Sequence, residues 1–154
     1  MKLSIVLCLP MLGVAPSLAI PTPVVEEPAS AEPGLLFERQ SAARTCGGHT
    51  YNKQDQTDAF NQAKNKEPKG IKAKNGRVYP EEFRNTPENL KFPDCPGASA
   101  PFREFPILRD GTLFMAGDDQ DKDRIAYKDT GSGYNYCGVM TYQGAPPGRF
   151  ILCN

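Results

Sequence analysis

The sequence has a single histidine, His49, and none of its cysteines forms a Cys-x-x-Cys pair. Structural zinc sites are built from such pairs or from several histidines, so no metal is expected, and no cofactor. Apart from the start of the chain, no apolar run approaches the roughly 20 residues that cross a bilayer, and no membrane association is expected. No Asn-x-Ser/Thr acceptor with a permitted middle residue occurs, and no internal repeat. A surplus of charge is missing too. The 154 residues hold 18 basic and 18 acidic side chains, so any electrostatic attraction must be local.

What apolar sequence there is stands first. MKLSIVLCLPMLGVAPSLA has Lys2, an apolar run broken by proline, and small residues ending at Ala19. It reads as a secretory signal peptide over residues 1–19, and the protein is expected to be secreted and extracellular. Residues 20–44 are rich in Pro, Ala and Glu and read as a pro-segment or disordered linker, with Arg39 or Arg44 as candidate processing sites. The folded domain is expected over residues 45–154. Setting residues 1–44 aside removes Lys2, Arg39, Arg44, Glu26, Glu27, Glu32 and Glu38, which leaves 15 basic and 14 acidic residues. The charges are uneven. KNKEPKGIKAKNGR (64–77) carries six cations and one glutamate, while GDDQDKD (117–123) is acidic. A basic loop attracts phosphates, though most charge runs are solvated surface.

Cys8 leaves with the leader. Cys46, Cys95, Cys137 and Cys153 remain, and an even number in a small secreted domain reads as two disulfides. Three pairings are open, and spacing does not choose among them. Joining Cys46 to Cys153 would close nearly the whole domain, contributing about 4–5 kcal/mol in the chain-entropy model.

QDQTDAFNQAKNKE (54–67) places Ala59, Phe60 and Ala63 at helical spacing, with Asp55 or Thr57 as the expected N-cap and Pro68 as the stop. The segments after it, GRVYPEEF, FREFPIL, TLFM, DRIAY, YCGVMTY and RFILC, read as short strands punctuated by Gly, Pro, Asn and Asp. One helix packed on a short antiparallel sheet is an α+β plan. Alternation sets Phe102, Glu104 and Pro106 on one face of their strand and Arg103, Phe105 and Ile107 on the other. In VYPEEF it sets Tyr79, Glu81 and Phe83 on one face. Taken alone, Glu104 reads as a solvated strand glutamate and Arg124 as a surface cation.

Together these segments say more. The order Tyr-Pro-x-x-aromatic, Glu-aromatic-Pro, Asp-Arg-Ile, Gly-Val-x-Thr-x-x-Gly and Phe-x-x-Cys resembles the fungal extracellular guanyl-preferring ribonucleases and the related sarcin-type ribotoxins. The resemblance runs from TCGG at residue 45 to the cysteine before the C-terminus. It implies the microbial ribonuclease fold and the disulfides Cys46–Cys153 and Cys95–Cys137. It also implies cleavage of single-stranded RNA by attack of the ribose 2′-oxygen on the adjacent phosphate, which leaves a 2′,3′-cyclic phosphate. By resemblance Glu104 is the general base, Arg124 stabilises the phosphate, Tyr79 hydrogen-bonds it, and Phe150 packs beside it.

Two positions depart from the family pattern. Glu81 stands where the family has a histidine that assists the base. Tyr142, just before the last turn, stands where a histidine is the general acid. One acid–base group contributes roughly 10²–10⁴-fold in rate, and a tyrosine with an ordinary pKa of about 10 is poorly matched to neutral pH. His49 lies in the N-terminal segment and reads as structural or exposed. Glu81 close to Glu104 is expected to hold one carboxyl protonated. The guanine-reading loop of the family corresponds to FRNTPENL (83–90). Phe83 begins it, Asn85 matches, Glu88 takes the family glutamate's place with its register shifted by Pro87, and Arg84 is an added cation. The resemblance therefore implies a monomeric, secreted RNA-binding protein with impaired catalysis, an effector-like pseudo-ribonuclease. Single-stranded or ribosomal RNA is its expected partner, and a host protein is the second class of partner. The competing expectation is a working endoribonuclease with altered acid–base residues.

Overall fold

The computed structural model describes residues 42–95 and 101–154. The expected leader and most of the expected linker lie outside those residues. Strands β1 (Arg44–Cys46) and β2 (His49–Tyr51) form an antiparallel ribbon. Helix α1 (Lys53–Lys66) follows, then a second ribbon of β3 (Ile71–Lys72) and β4 (Val78–Tyr79). The main sheet is antiparallel, in the order β5 (Glu81–Phe83), β6 (Phe102–Pro106), β7 (Asp123–Asp129), β8 (Tyr134–Thr141) and β9 (Ile151–Leu152). One helix beside an antiparallel sheet is the α+β plan that the sequence predicts. β1 begins at Arg44, one residue before the expected domain boundary, and Arg44 pairs with Asp94 at 2.7 Å.

The expected helix is present, but its cap differs. Asn52 is the N-cap, not Asp55 or Thr57. Its side chain accepts the N–H groups of Gln54 and Asp55, while Asp55 accepts the Asn52 N–H at 2.8 Å. This reciprocal capping box satisfies donors that a helix start leaves open. Gln56, Ala59, Phe60 and Ala63 recur at the 3.6-residue period and are buried against the sheet. Gln56 is tolerated there because its amide donates to the carbonyls of Tyr51 and Asn52 and accepts the Tyr136 hydroxyl.

TLFM is not a strand. Phe114 is buried, yet its backbone N–H and carbonyl are both taken by the amide of Gln62 on α1, at 3.2 and 2.7 Å. A side chain does there what a neighbouring strand would do. VYPEEF is also not one strand. It divides at Pro80 into β4, which pairs with β3, and β5, which pairs with β6.

The sheet separates two apolar clusters. Phe105, Ile107, Ile125, Tyr127, Tyr136 and Val139 face the helix. Phe83, Phe92, Phe102, Ala126, Cys137, Met140 and Phe150 fill the other side. A bulge between Ala126 and Tyr127, opposite Gly138, adds one residue to β8. The extra residue shifts the alternation, so Cys137 reaches the second side although Val139 stays on the first. Gly138 has φ 148°, and a Cβ there would lie 3.4 Å from the Phe92 ring. Cys137 bonds Cys95, and Cys46 bonds Cys153, as the resemblance implies. Beside the second bridge, Thr45 and Asn154 exchange backbone hydrogen bonds.

Candidate functional site

The second side of the sheet carries charged groups at its β5–β7 corner. Glu81 lies directly opposite Glu104 in the β5–β6 register, and Glu104 opposite Ala126 in β6–β7. Arg124 stands two residues before Ala126, so it is Glu104's diagonal neighbour on the same face. Tyr79 enters from β4. Tyr142 follows the end of β8 and is held by its N–H donating to the Lys122 carbonyl at 3.0 Å. The Tyr142 ring stacks on Phe150, with centroids 3.7 Å apart. The lip beyond it is fixed by Arg109, which bonds both Asp123 and Gln143, while Gln143 donates to the Gly47 carbonyl.

Arg124 is 1% exposed. Its Nη1 donates to the carbonyls of Gln120, Asp121 and Asp123, and its Nη2 to the Tyr79 hydroxyl at 3.3 Å. Its Nε has no hydrogen-bond partner in the protein, and neither has Oε1 of Glu104. These two atoms are 3.9 Å apart, too far for a hydrogen bond. Glu104 is 2% exposed, and its pKa is raised from 4.5 to about 7. Burial is the main cause. Arg124 and Arg77 oppose it, and the charges of Glu81 and Glu88 add to it. The Tyr79 hydroxyl is also pushed up by burial, against the pull of both arginines.

Two carboxylates face to face across a ladder repel each other. The charge that offsets them is one the sequence reading missed. Arg77 forks onto Glu81 through Nε, at 2.8 Å, and Nη2. Its Nη2 is 3.7 Å from Oε1 of Glu104, and its guanidinium lies 5.6 Å from the Tyr79 ring centroid. Its charge also acts on the Tyr142 hydroxyl. That hydroxyl is raised by burial and by Glu104, with the arginines pulling the other way. No strand pattern announces Arg77: it precedes β4, and Pro80 divides Tyr79 from Glu81, so the three meet only in the folded chain.

The structure thus brings Tyr79, Glu81, Glu104, Arg124 and Tyr142 together, with Phe150 beneath Tyr142. The remaining expected site residues are distributed differently. Phe83 is buried among Phe92, Phe102 and Phe150. Asn85 closes its loop by bonding the backbone of Leu90 in both directions, at φ 53°. Glu88 has one oxygen without a partner, and its charge reaches Glu104. Arg84 stands at the surface, paired with Glu82 at 3.0 Å. His49 packs edge-on to Tyr51, in the β1–β2 ribbon. Among the described residues no cluster of His, Cys, Asp and Glu could hold a metal, and no helix is long and apolar enough to cross a membrane.

Comparison with known proteins places this geometry in context. Residues 39–154 match the family model described as ribonuclease. Guanyl-specific ribonuclease N1 of Neurospora crassa is 29% identical over 143 residues, covering 88% of this chain and 87% of that protein. Guanyl-specific ribonuclease Th1 of Trichoderma harzianum is 33% identical over 109 residues, covering 71% of this chain and 94% of its own. Among solved structures, a ribonuclease from Hericium erinaceus aligns with a TM-score of 0.46 and 26% identity, over 73% of this chain and 99% of that one.

Proposed function

The chain belongs to the ribonuclease family, and from that premise we propose that it is a secreted RNA-binding member whose cleavage chemistry is impaired. One observation carries the RNA reading. Glu104 Oε1 and Arg124 Nε are buried beside each other without partners, and each such group costs about 1–3 kcal/mol. An RNA phosphodiester with its neighbouring ribose hydroxyl supplies what each lacks. The 2′-hydroxyl donates to Glu104, and a phosphate oxygen accepts from Arg124. The Tyr79 hydroxyl, already bonded to Arg124, is in position to donate to the same phosphate.

The chemistry needs three transfers. Ionised Glu104 takes the 2′-hydroxyl proton, the 2′-oxygen attacks phosphorus, and the bond to the 5′-oxygen breaks as that oxygen gains a proton. At the lip the donor is Tyr142, whose raised pKa makes it a reluctant acid. Glu81, where the family has its second histidine, is occupied by Arg77. Both features support slow turnover. Secretion is supported by the leader-like sequence of residues 1–19 and by two disulfides, which persist in oxidising surroundings. An effector-like role against host RNA is consistent with that placement.

A second reading, a working endoribonuclease, is favoured by Glu104 alone. A carboxyl with a pKa of about 7 is well matched to act as a base near neutrality. The test is incubation of the protein with mixed-sequence single-stranded RNA. The expected result is binding that weakens with salt and little cyclic-phosphate product. Turnover equal to that of a guanyl-specific relative assayed in parallel overturns the impairment. Absence of binding at low ionic strength overturns the RNA reading in favour of a protein partner.

A further inference from the structure

We infer that Arg77 is a second phosphate-binding residue of the cleft, held in place by Glu81 and supplying the cationic charge that a histidine pair would otherwise bring. The inference rests on the RNA reading above and adds a contact to it. Arg77 closes the basic stretch 64–77, but it differs from the lysines before it. Lys72 lies opposite Val78 in the β3–β4 ribbon, on the exposed side of the pair, while Ile71 and Tyr79 face inward. Arg77 accepts the Ala73 N–H at 2.8 Å, and Ala73 is buried. Its side chain turns to Tyr79 and Glu81. Among the cations of the stretch it is the one in contact with the cleft carboxylates.

The geometry suits a phosphate. The fork to Glu81 uses Nε and Nη2, so Nη1 lies outside it. The side chain is 42% exposed, whereas Arg124 is buried. The two guanidinium groups approach the same ring, that of Tyr79, at 5.6 and 5.3 Å from its centroid. They also approach the same oxygen of Glu104, at 3.7 and 3.9 Å. A phosphate that bonds Arg124 and Tyr79 at this corner therefore lies within reach of Arg77 from the solvent side. Planar guanidinium groups bind phosphate oxygens through paired N–H donors. Glu81 then acts as a positioning residue. Its carboxylate stops the long Arg77 side chain from swinging into solvent.

The experiment measures binding of the full chain to a mixed-sequence single-stranded RNA across a salt series. Each phosphate contact contributes about 0.7 to the slope of log affinity against log salt for single strands. Arg77→Gln should lower that slope by about 0.7 and weaken binding about five- to tenfold at low salt. Arg77→Lys should keep the slope. Lys53→Gln, on the exposed first turn of the helix, should change neither. A second measurement needs no variant. In the wild-type protein the side-chain Nε–H signals of Arg77 and Arg124 should shift on adding the RNA, while those of Arg103 stay still. Superimposable binding curves for wild type and Arg77→Gln, or an Arg77 signal that does not move while wild type binds, overturns the inference and leaves the RNA reading standing. Wild type that fails to bind at any salt removes both.

Discussion

Arg103 and Glu104 are neighbours on β6 and face opposite sides of the sheet, and each belongs to an arginine–glutamate pair. Arg103 meets Glu67 in a fork, at 2.9 and 3.0 Å. The Tyr127 hydroxyl donates to the same carboxylate, and Arg103 also bonds the Pro80 carbonyl. Glu104 meets Arg124 only at 3.9 Å, and each has an unpaired atom in the gap. The first pair ties the end of the helix to the turn between β4 and β5, and its geometry is closed. The second is more deeply buried and less well bonded, so it is poor at holding the fold together. An open pair of that kind is what a ligand can complete, and a closed pair is what keeps a scaffold in place.

The contrast can be tested from both sides. The largest effect should come from the open side. Tyr142→His places a group with a pKa near 6.5 at the lip, and cyclic-phosphate formation should rise about 100-fold or more. Glu104→Gln in that background should abolish the gain, because no base is left. No gain from Tyr142→His, with a correctly folded variant, would mean that the lip is not where the leaving oxygen is protonated.

Next in size is the pH response of stability. Glu104 has a folded-state pKa of about 7 against 4.5 when free. Between those values the folded protein holds a proton that the unfolded chain releases, so this group's contribution is full below about 4.5 and is lost as pH rises through about 7. Glu104→Gln removes that loss. Relative to wild type the variant should gain on the order of 3 kcal/mol between pH 4 and pH 8, read from denaturant midpoints. A constant difference across that range would mean that Glu104 titrates normally. The same titration should make residual wild-type cleavage rise with pH through about 7, with no falling limb near neutrality, because the Tyr142 hydroxyl is pushed up.

The closed side should behave in the opposite way. Arg103→Met should cost about 2 kcal/mol of stability, since Glu67 loses its charge partner in a half-buried place and keeps only the Tyr127 hydroxyl, and RNA affinity should stay within about twofold. A loss of affinity larger than the loss of stability would erase the distinction between the pairs. The smallest expected effect is at the helix start. Asn52→Ala should cost about 1 kcal/mol and leave binding untouched, which melting and binding curves would check together.

The features that the sequence made legible are those written in one residue or one short motif. The helix face of Ala59, Phe60 and Ala63 is of this kind, while the two disulfide pairings and the Glu104, Arg124 and Tyr79 assignments came from a family resemblance spread over many short motifs. What escaped depended on partners far along the chain. TLFM looks like a strand because it is apolar, yet Leu113 and Met115 are exposed while Phe114 is buried. Its backbone partner is a glutamine 52 positions away on the helix, which no local pattern announces. Asn52 was passed over because Asp55, an acceptable cap by type, sits in the first turn, where it bonds back to the true cap. Arg77 was read as part of a charge run, and its role appears only once Glu81 and Glu104 are seen to stand opposite each other.

The two sulfur bridges have a consequence for damage. Cys46 and Cys153 enclose nearly all of the described chain, and Cys95 and Cys137 are joined within that span. A protease that cuts one peptide bond anywhere between Cys46 and Cys153 therefore releases nothing. The nicked protein remains one covalent molecule, with its mass raised only by one water. Its two new ends stay tethered at short range, so the pieces need not find each other again by diffusion. Clipping would be visible on a gel only after reduction.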